Sequence, residues 1–145
     1  MKSMVALGAL LSLVVVLAAC SSTAAAPEVE VSCDEFSANP APTTVAWGQL
    51  DLAVGDTFTI SLCSNPSTGY SWSDEIAFDA AVVRLVDRTF KEGADASPPV
   101  VGAPGREQLT FEAIGTGTTT IGMTYDRAWS EEPPAWTFEV GVVVK

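Results

Sequence analysis

Thr57-Phe58-Thr59-Ile60-Ser61-Leu62 alternates polar and apolar side chains, and Thr118-Thr119-Thr120-Ile121-Gly122-Met123 repeats the pattern later in the chain. A period of two puts the apolar set on one face of an extended strand and leaves the other face toward water. Outward from these two segments, short runs of β-branched and aromatic residues recur at intervals of roughly ten residues, with Gly, Pro, Asn and Asp between them. The runs are Thr44–Trp47, Leu50–Ala53, Thr57–Cys63, Tyr70–Ser73, Val82–Phe90, Glu107–Ile114, Gly117–Tyr125 and Trp136–Val144. No stretch beyond the first twenty residues spaces its apolar side chains as a helix does.

Seven to eight short strands in about 100 residues, with turn signals between them, imply an all-β chain folded as an immunoglobulin-like antiparallel β-sandwich. The Cys-Trp-Cys arrangement of antibody domains is absent, so that architecture must be reached by other contacts.

The first 19 residues are of another kind. Met1-Lys2-Ser3-Met4 leads into aliphatic Val5 to Ala19, and Leu17-Ala18-Ala19-Cys20 closes the stretch with small residues. This is the layout of an export signal, and the apolar run falls short of the ~20 residues a spanning helix needs. Leu17–Cys20 resembles the bacterial lipobox, which implies cleavage before Cys20 and lipid on its sulfur. Residues 1–19 are thus expected to be a lipoprotein signal peptide. The Ser/Thr/Ala/Pro-rich residues 20–42 are expected to be a lipidated tether, and 43–145 one folded domain. The chain is expected to be exported and lipid-anchored to the bacterial cell envelope.

The whole chain has a net charge of −11, and residues 20–145 hold 18 acidic and 6 basic side chains, a charge of −12. That surface repels a phosphate backbone, so no nucleic-acid partner is expected, and attachment to membrane would rest on the acyl chains at Cys20. Histidine is absent. A Ser-His-Asp triad, a Cys-His pair and His-ligated zinc are therefore excluded. Asp74-Glu75 and Glu131-Glu132 sit in turn-like contexts, and no carboxylate pair stands at a recognisable catalytic spacing. The chain is expected not to be an enzyme and to need no metal or cofactor. With Cys20 assigned to lipid, the even pair left in an oxidising compartment is Cys33 and Cys63. Their disulfide would close a loop of about 30 residues and stabilise the fold by roughly 3–4 kcal/mol.

Three loops carry residue types unusual for simple connectors. In Asn65-Pro66-Ser67-Thr68-Gly69-Tyr70, followed by Trp72, Pro66 fixes φ, Asn65 can bond its own backbone and Gly69 admits a positive φ, so the loop should be rigid. Gly102-Ala103-Pro104-Gly105 is small and projecting. Tyr125-Asp126-Arg127-Ala128-Trp129 places Arg and Trp, two residue types enriched at binding hot spots, in a loop that continues through Glu131-Glu132-Pro133-Pro134.

In order and spacing these loops resemble the chagasin-type (I42) inhibitors of papain-like cysteine peptidases. Asn65–Tyr70 is similar to that family's Asn-Pro-x-Thr-Gly-aromatic signature, and Leu50–Asp56 to its strand-and-turn lead-in. Gly102–Gly105 is similar to its Gly-x-Gly-Gly loop, with Pro104 where Gly is usual. Arg127-Ala128-Trp129 is similar to its Arg-Pro-Trp loop, with Ala128 where Pro is usual. The resemblance implies a monomeric, reversible inhibitor whose three loops block a peptidase cleft without chemistry. Thr68 and its neighbours would enter the centre beside the catalytic Cys, Gly102–Gly105 would take the non-primed side, and Arg127 with Trp129 the primed side. The competing expectation is an Ig-like surface lipoprotein acting as an adhesion or assembly module, its loops being turns only.

Overall fold

The strand alternation buries one apolar face from each of two sheets, and the two faces pack together. The computed structural model describes residues 26–38, 41–93 and 102–145. In chain order the elements are β1 (Glu28–Val31), α1 (Cys33–Ala38), β2 (Thr43–Leu52), β3 (Thr57–Ser64), β4 (Ser71–Trp72), β5 (Val83–Lys91), β6 (Gly105–Ala113), β7 (Gly117–Asp126) and β8 (Trp136–Val144). One sheet has the order β1-β3-β6-β5 and the other β2-β8-β7-β4. Phe58, Ile60, Leu109 and Phe111 from the first sheet meet Ile121, Phe138, Val140 and Val142 from the second, all essentially without solvent contact. Each such side chain contributes about 1.5–3 kcal/mol by leaving water. The fold is the expected Ig-like sandwich.

Three details depart from the sequence reading. First, two pairings are parallel: β1 with β3, and β2 with β8. Both β1 and β2 are edge strands whose partners lie well separated along the chain, which gives the long connection that parallel pairing requires. Second, residues 28–38, assigned above to the tether, belong to the sandwich. Val29 and Val31 alternate with Glu28 and Glu30 and are fully buried, while α1 packs against the end of β3. Ser32 and Glu35 cap that helix reciprocally: the Ser32 N–H donates to Glu35 Oε2 at 2.9 Å and the Glu35 N–H donates to Ser32 Oγ at 3.2 Å. Third, Thr44–Trp47 and Leu50–Ala53 form one strand, β2, broken by a bulge between Ala46 and Gln49 where Gly48 takes φ +103°.

Cys33 and Cys63 are joined by a disulfide, which fastens α1 to the end of β3. The two sheets are also linked by Arg88 of β5. Its guanidinium pairs with Glu107 and donates to the carbonyl oxygens of Trp72 and Ser73, each at 3.0 Å. Among the described residues no helix is long and apolar enough to cross a membrane. Residues 1–19, Cys20 and the first residues after it lie outside the described residues.

Candidate functional site

Strand register brings the three loops to one end of the sandwich. Ser64, the last residue of β3, pairs with Gly105, the first of β6, so the Asn65–Tyr70 loop and the 102–104 segment emerge side by side. Ser71 of β4 pairs with Asp126 of β7, and Tyr125 with Trp136, which closes the Arg127–Ala135 loop at the same end.

The Asn65–Tyr70 loop is built from its own backbone requirements. Pro66–Thr68 makes one turn of 3₁₀ helix, and Gly69 ends it in the left-handed region at φ +81°. The Thr68 N–H donates to the Asn65 carbonyl oxygen at 3.1 Å, and the Gly69 N–H to that of Pro66 at 3.0 Å. The Thr68 hydroxyl also donates to the Asn65 carbonyl oxygen, at 2.6 Å. Pro66, Ser67 and Thr68 face solvent.

Asn65 connects this loop to its surroundings. Its Oδ1 accepts from Ser67 Oγ at 2.5 Å, its Nδ2 donates to the Gly102 carbonyl oxygen at 3.0 Å, and its backbone N–H donates to the Tyr125 phenolic oxygen at 2.9 Å. It therefore reaches both other loops while itself half-buried. Trp129 closes the assembly from the far side. It is 74% exposed, yet its ring lies so close over Gly69 that a Cβ there would come within 2.6 Å of Cη2. Gly69 thus serves both a positive φ and a close approach.

Arg127 is drawn in by an aromatic stack. Its guanidinium carbon sits 4.4 Å from the Tyr70 ring centroid, and Tyr70 stacks on Tyr125 at 5.5 Å. Arg127 Nε is buried with no acceptor among the described residues. The loop itself is a turn held by the Ser130 N–H donating to the Arg127 carbonyl oxygen at 2.9 Å and the Ala135 N–H to that of Tyr125 at 3.0 Å.

Of the residues singled out from sequence, Pro66, Ser67, Thr68, Gly102, Ala103, Pro104, Ala128 and Trp129 are exposed on this end, and Asn65, Gly69, Tyr70 and Arg127 are half-buried behind them. Gly105 is placed differently. It is a buried strand residue with the Phe90 ring and the Lys91 carbonyl against the space where a Cβ would stand. Tyr125 ends a strand and opens the third loop, as its sequence implies, but its link to the first loop is new: its phenolic oxygen receives the Asn65 N–H. The only hint was a phenol at a position where a strand turns into a loop. A perturbed carboxyl group lies remote from the loops. At the other end of β2, bonds from Lys145 and Gln49 hold the Asp51 carboxyl below its usual range.

An Ig-like sandwich that sets three cross-linked loops in one exposed edge, backed by stacked aromatics, is a binding domain with a preformed recognition surface. The chagasin family of peptidase inhibitors, I42, matches residues 51–142, and the chain belongs to that family. It is a family of inhibitors and not of enzymes. Similar proteins include Amoebiasin-2 of Entamoeba histolytica, 33% identical over 98 residues, which cover 66% of this chain and 76% of that one. Chagasin of Trypanosoma cruzi is 28% identical over 81 residues, 56% of this chain and 74% of that one. Among solved structures, the cysteine protease inhibitor EhICP2 of Entamoeba histolytica superposes with a TM-score of 0.60 at 28% identity, over 71% of this chain and 95% of that one. PbICP-C, solved in complex with falcipain-2, shares the fold with a TM-score of 0.60 at 18% identity, over 82% of this chain and 99% of that one.

Proposed function

We propose that the protein inhibits papain-like cysteine peptidases reversibly, by laying its three-loop end across the active-site cleft. The observation that carries this reading is the bonding of the loops into one piece: Asn65 to Gly102 on one side, and Gly69 under Trp129 on the other. A cleft shaped for an extended peptide accepts a narrow edge, and Pro66, Ser67 and Thr68 form one. Thr68 stands at the centre, beside the position of the peptidase thiolate. Gly102, Ala103 and Pro104 take one side, and Arg127, Ala128 and Trp129 the other. Because the loops are already fixed, little conformational entropy is lost on docking.

The same rigidity protects the inhibitor from cleavage. Pro66–Thr68 is a helical turn followed by a left-handed Gly69, and attack by a peptidase requires an extended segment with its carbonyl aligned. Pro104 stiffens the second loop and Ala128 frees the third, so the inhibition should be weaker or narrower in range than with Gly and Pro at those positions. The protein acts as a monomer. It is exported and held to the bacterial envelope by lipid on Cys20, a reading supported by the Leu17–Cys20 motif.

Titrating residues 26–145 against papain tests the inhibition. Residual activity should fall reversibly with no cleavage of the inhibitor; full activity at micromolar concentrations of folded domain would refute it. Metabolic labelling with palmitate tests the anchor, and label retained by a Cys20→Ser variant would refute lipidation there.

A further inference from the structure

We infer that Phe36, on a helix that precedes the residues matched to the family, is a positioning residue for the inhibitory edge. The inference rests on the inhibition proposed above and concerns what holds its surface in shape. The Phe36 ring has three aromatic partners, and each is the root of a loop. Trp136, where the Arg127–Ala135 loop ends, stacks on it at 4.3 Å and 19°. Tyr125, where that loop begins, meets it edge-on at 5.2 Å, and Trp72, just after the Asn65–Tyr70 loop, does so at 5.9 Å. Through Tyr125 the contact passes outward. The phenolic oxygen receives the Asn65 N–H, and the ring supports Tyr70, on which Arg127 lies.

The helix that carries Phe36 is itself pinned. The reciprocal Ser32–Glu35 cap fixes its start, and the disulfide ties Cys33 to Cys63, two residues before Asn65. Cys33 Sγ also lies 3.8 Å from the Gly105 carbonyl oxygen, at the root of the 102–104 segment. One strap thus touches the base of all three loops, and it is supplied from outside residues 51–142. A ring that merely plugged the open end of the sandwich would be served by any apolar side chain. A ring stacked on one loop root and edge-on to two others fixes their separation and tilt, which an aliphatic group cannot do.

The test compares the full soluble chain, disulfide intact, with Phe36→Ala, Phe36→Leu and Phe36→Tyr. Dissociation rates are read from papain that has been activated and then freed of reductant. Native-state hydrogen exchange is followed at the Asn65 and Gly69 amides and, as reference, at Leu109 and Phe138. Phe36→Leu keeps apolar volume and so remains informative should Phe36→Ala fail to fold. The expected result is dissociation about tenfold faster for Phe36→Leu, with protection lost selectively at Asn65 and Gly69, and both restored in Phe36→Tyr. Dissociation within twofold of the unaltered protein, or protection lost equally at the loop and core amides, would overturn the inference. If the unaltered protein leaves papain fully active, the inhibitory reading fails by itself, and selective exchange at Asn65 still decides whether Phe36 positions the loop.

Discussion

The backbone N–H of Asn65 donates to the phenolic oxygen of Tyr125 across 60 residues of sequence, at 2.9 Å. The donor lies at the start of one loop and the acceptor at the start of another, so this single bond sets their relative height. Tyr125→Phe keeps the ring and its stack on Tyr70 but leaves a part-buried N–H without an acceptor. It should lower stability by about 1–2 kcal/mol in chemical denaturation and weaken inhibition severalfold.

Thr68 stands at the exposed apex, and its hydroxyl is used only within the loop. Replacing it by Arg adds a long charged side chain where the cleft would be narrowest. Thr68→Arg should abolish inhibition of papain while the melting temperature stays within a few degrees, since exposed substitutions usually change stability by no more than about 0.5 kcal/mol. Undiminished inhibition would rule out the central placement of this loop.

Gly69 and Trp129 are coupled sterically. Gly69→Ala places a methyl group at φ +81° and against the Trp129 ring, which should destabilise the protein by about 1–3 kcal/mol and displace the indole. Trp129→Ala removes an exposed ring and should weaken binding by about 2 kcal/mol or more with little change in folding stability. In the double variant the steric part of the Gly69→Ala effect disappears, so its loss of stability should be smaller than the sum of the two single losses. Strict additivity in a double-mutant cycle would show that the contact is not rigid.

Arg88 is one polar link between the sheets, beside the Trp72 indole N–H that donates to the Cys63 carbonyl oxygen. Lysine keeps the charge but cannot bond Glu107 and two carbonyl oxygens with one planar fork. Arg88→Lys should therefore cost about 2 kcal/mol in stability, measured by urea unfolding. Inhibition by the folded fraction should change little, because Trp72, the loop root that Arg88 bonds, is also held by the Phe36 ring and by its own indole N–H, which donates to the Cys63 carbonyl oxygen at 3.0 Å.

These residues also show how far the sequence could be read. The strands β3 and β7 were legible because strict alternation leaves one choice of face, and the Asn65–Tyr70 loop because Asn, Pro and Gly each impose a local backbone state. Glu28-Val29-Glu30-Val31 has the same alternation, yet four residues amid Ala, Pro and Ser are too few to stand out. Its place was fixed by a parallel partner 31 residues later, Glu28 pairing with Thr59 and Val31 with Leu62. Gly105 read as a loop glycine because nothing local shows that Phe90 of β5 presses on it. Tyr125 and Phe36 were illegible for a related reason: each serves a loop far along the chain, and only the packed end of the sandwich brings them together.

The direction of β1 has a geographical consequence. It runs alongside β3 in the same sense, Glu28 beside Thr59 and Val31 beside Leu62, and β3 heads toward Asn65. The polypeptide therefore joins the sandwich at the pole opposite the three loops. From a lipid on Cys20 to Glu28 the backbone reaches at most about 25–30 Å at roughly 3.3–3.6 Å per residue. With the lipid proposed on Cys20, the domain would be tethered by its far pole, which leaves the recognition edge at the end turned away from the attachment.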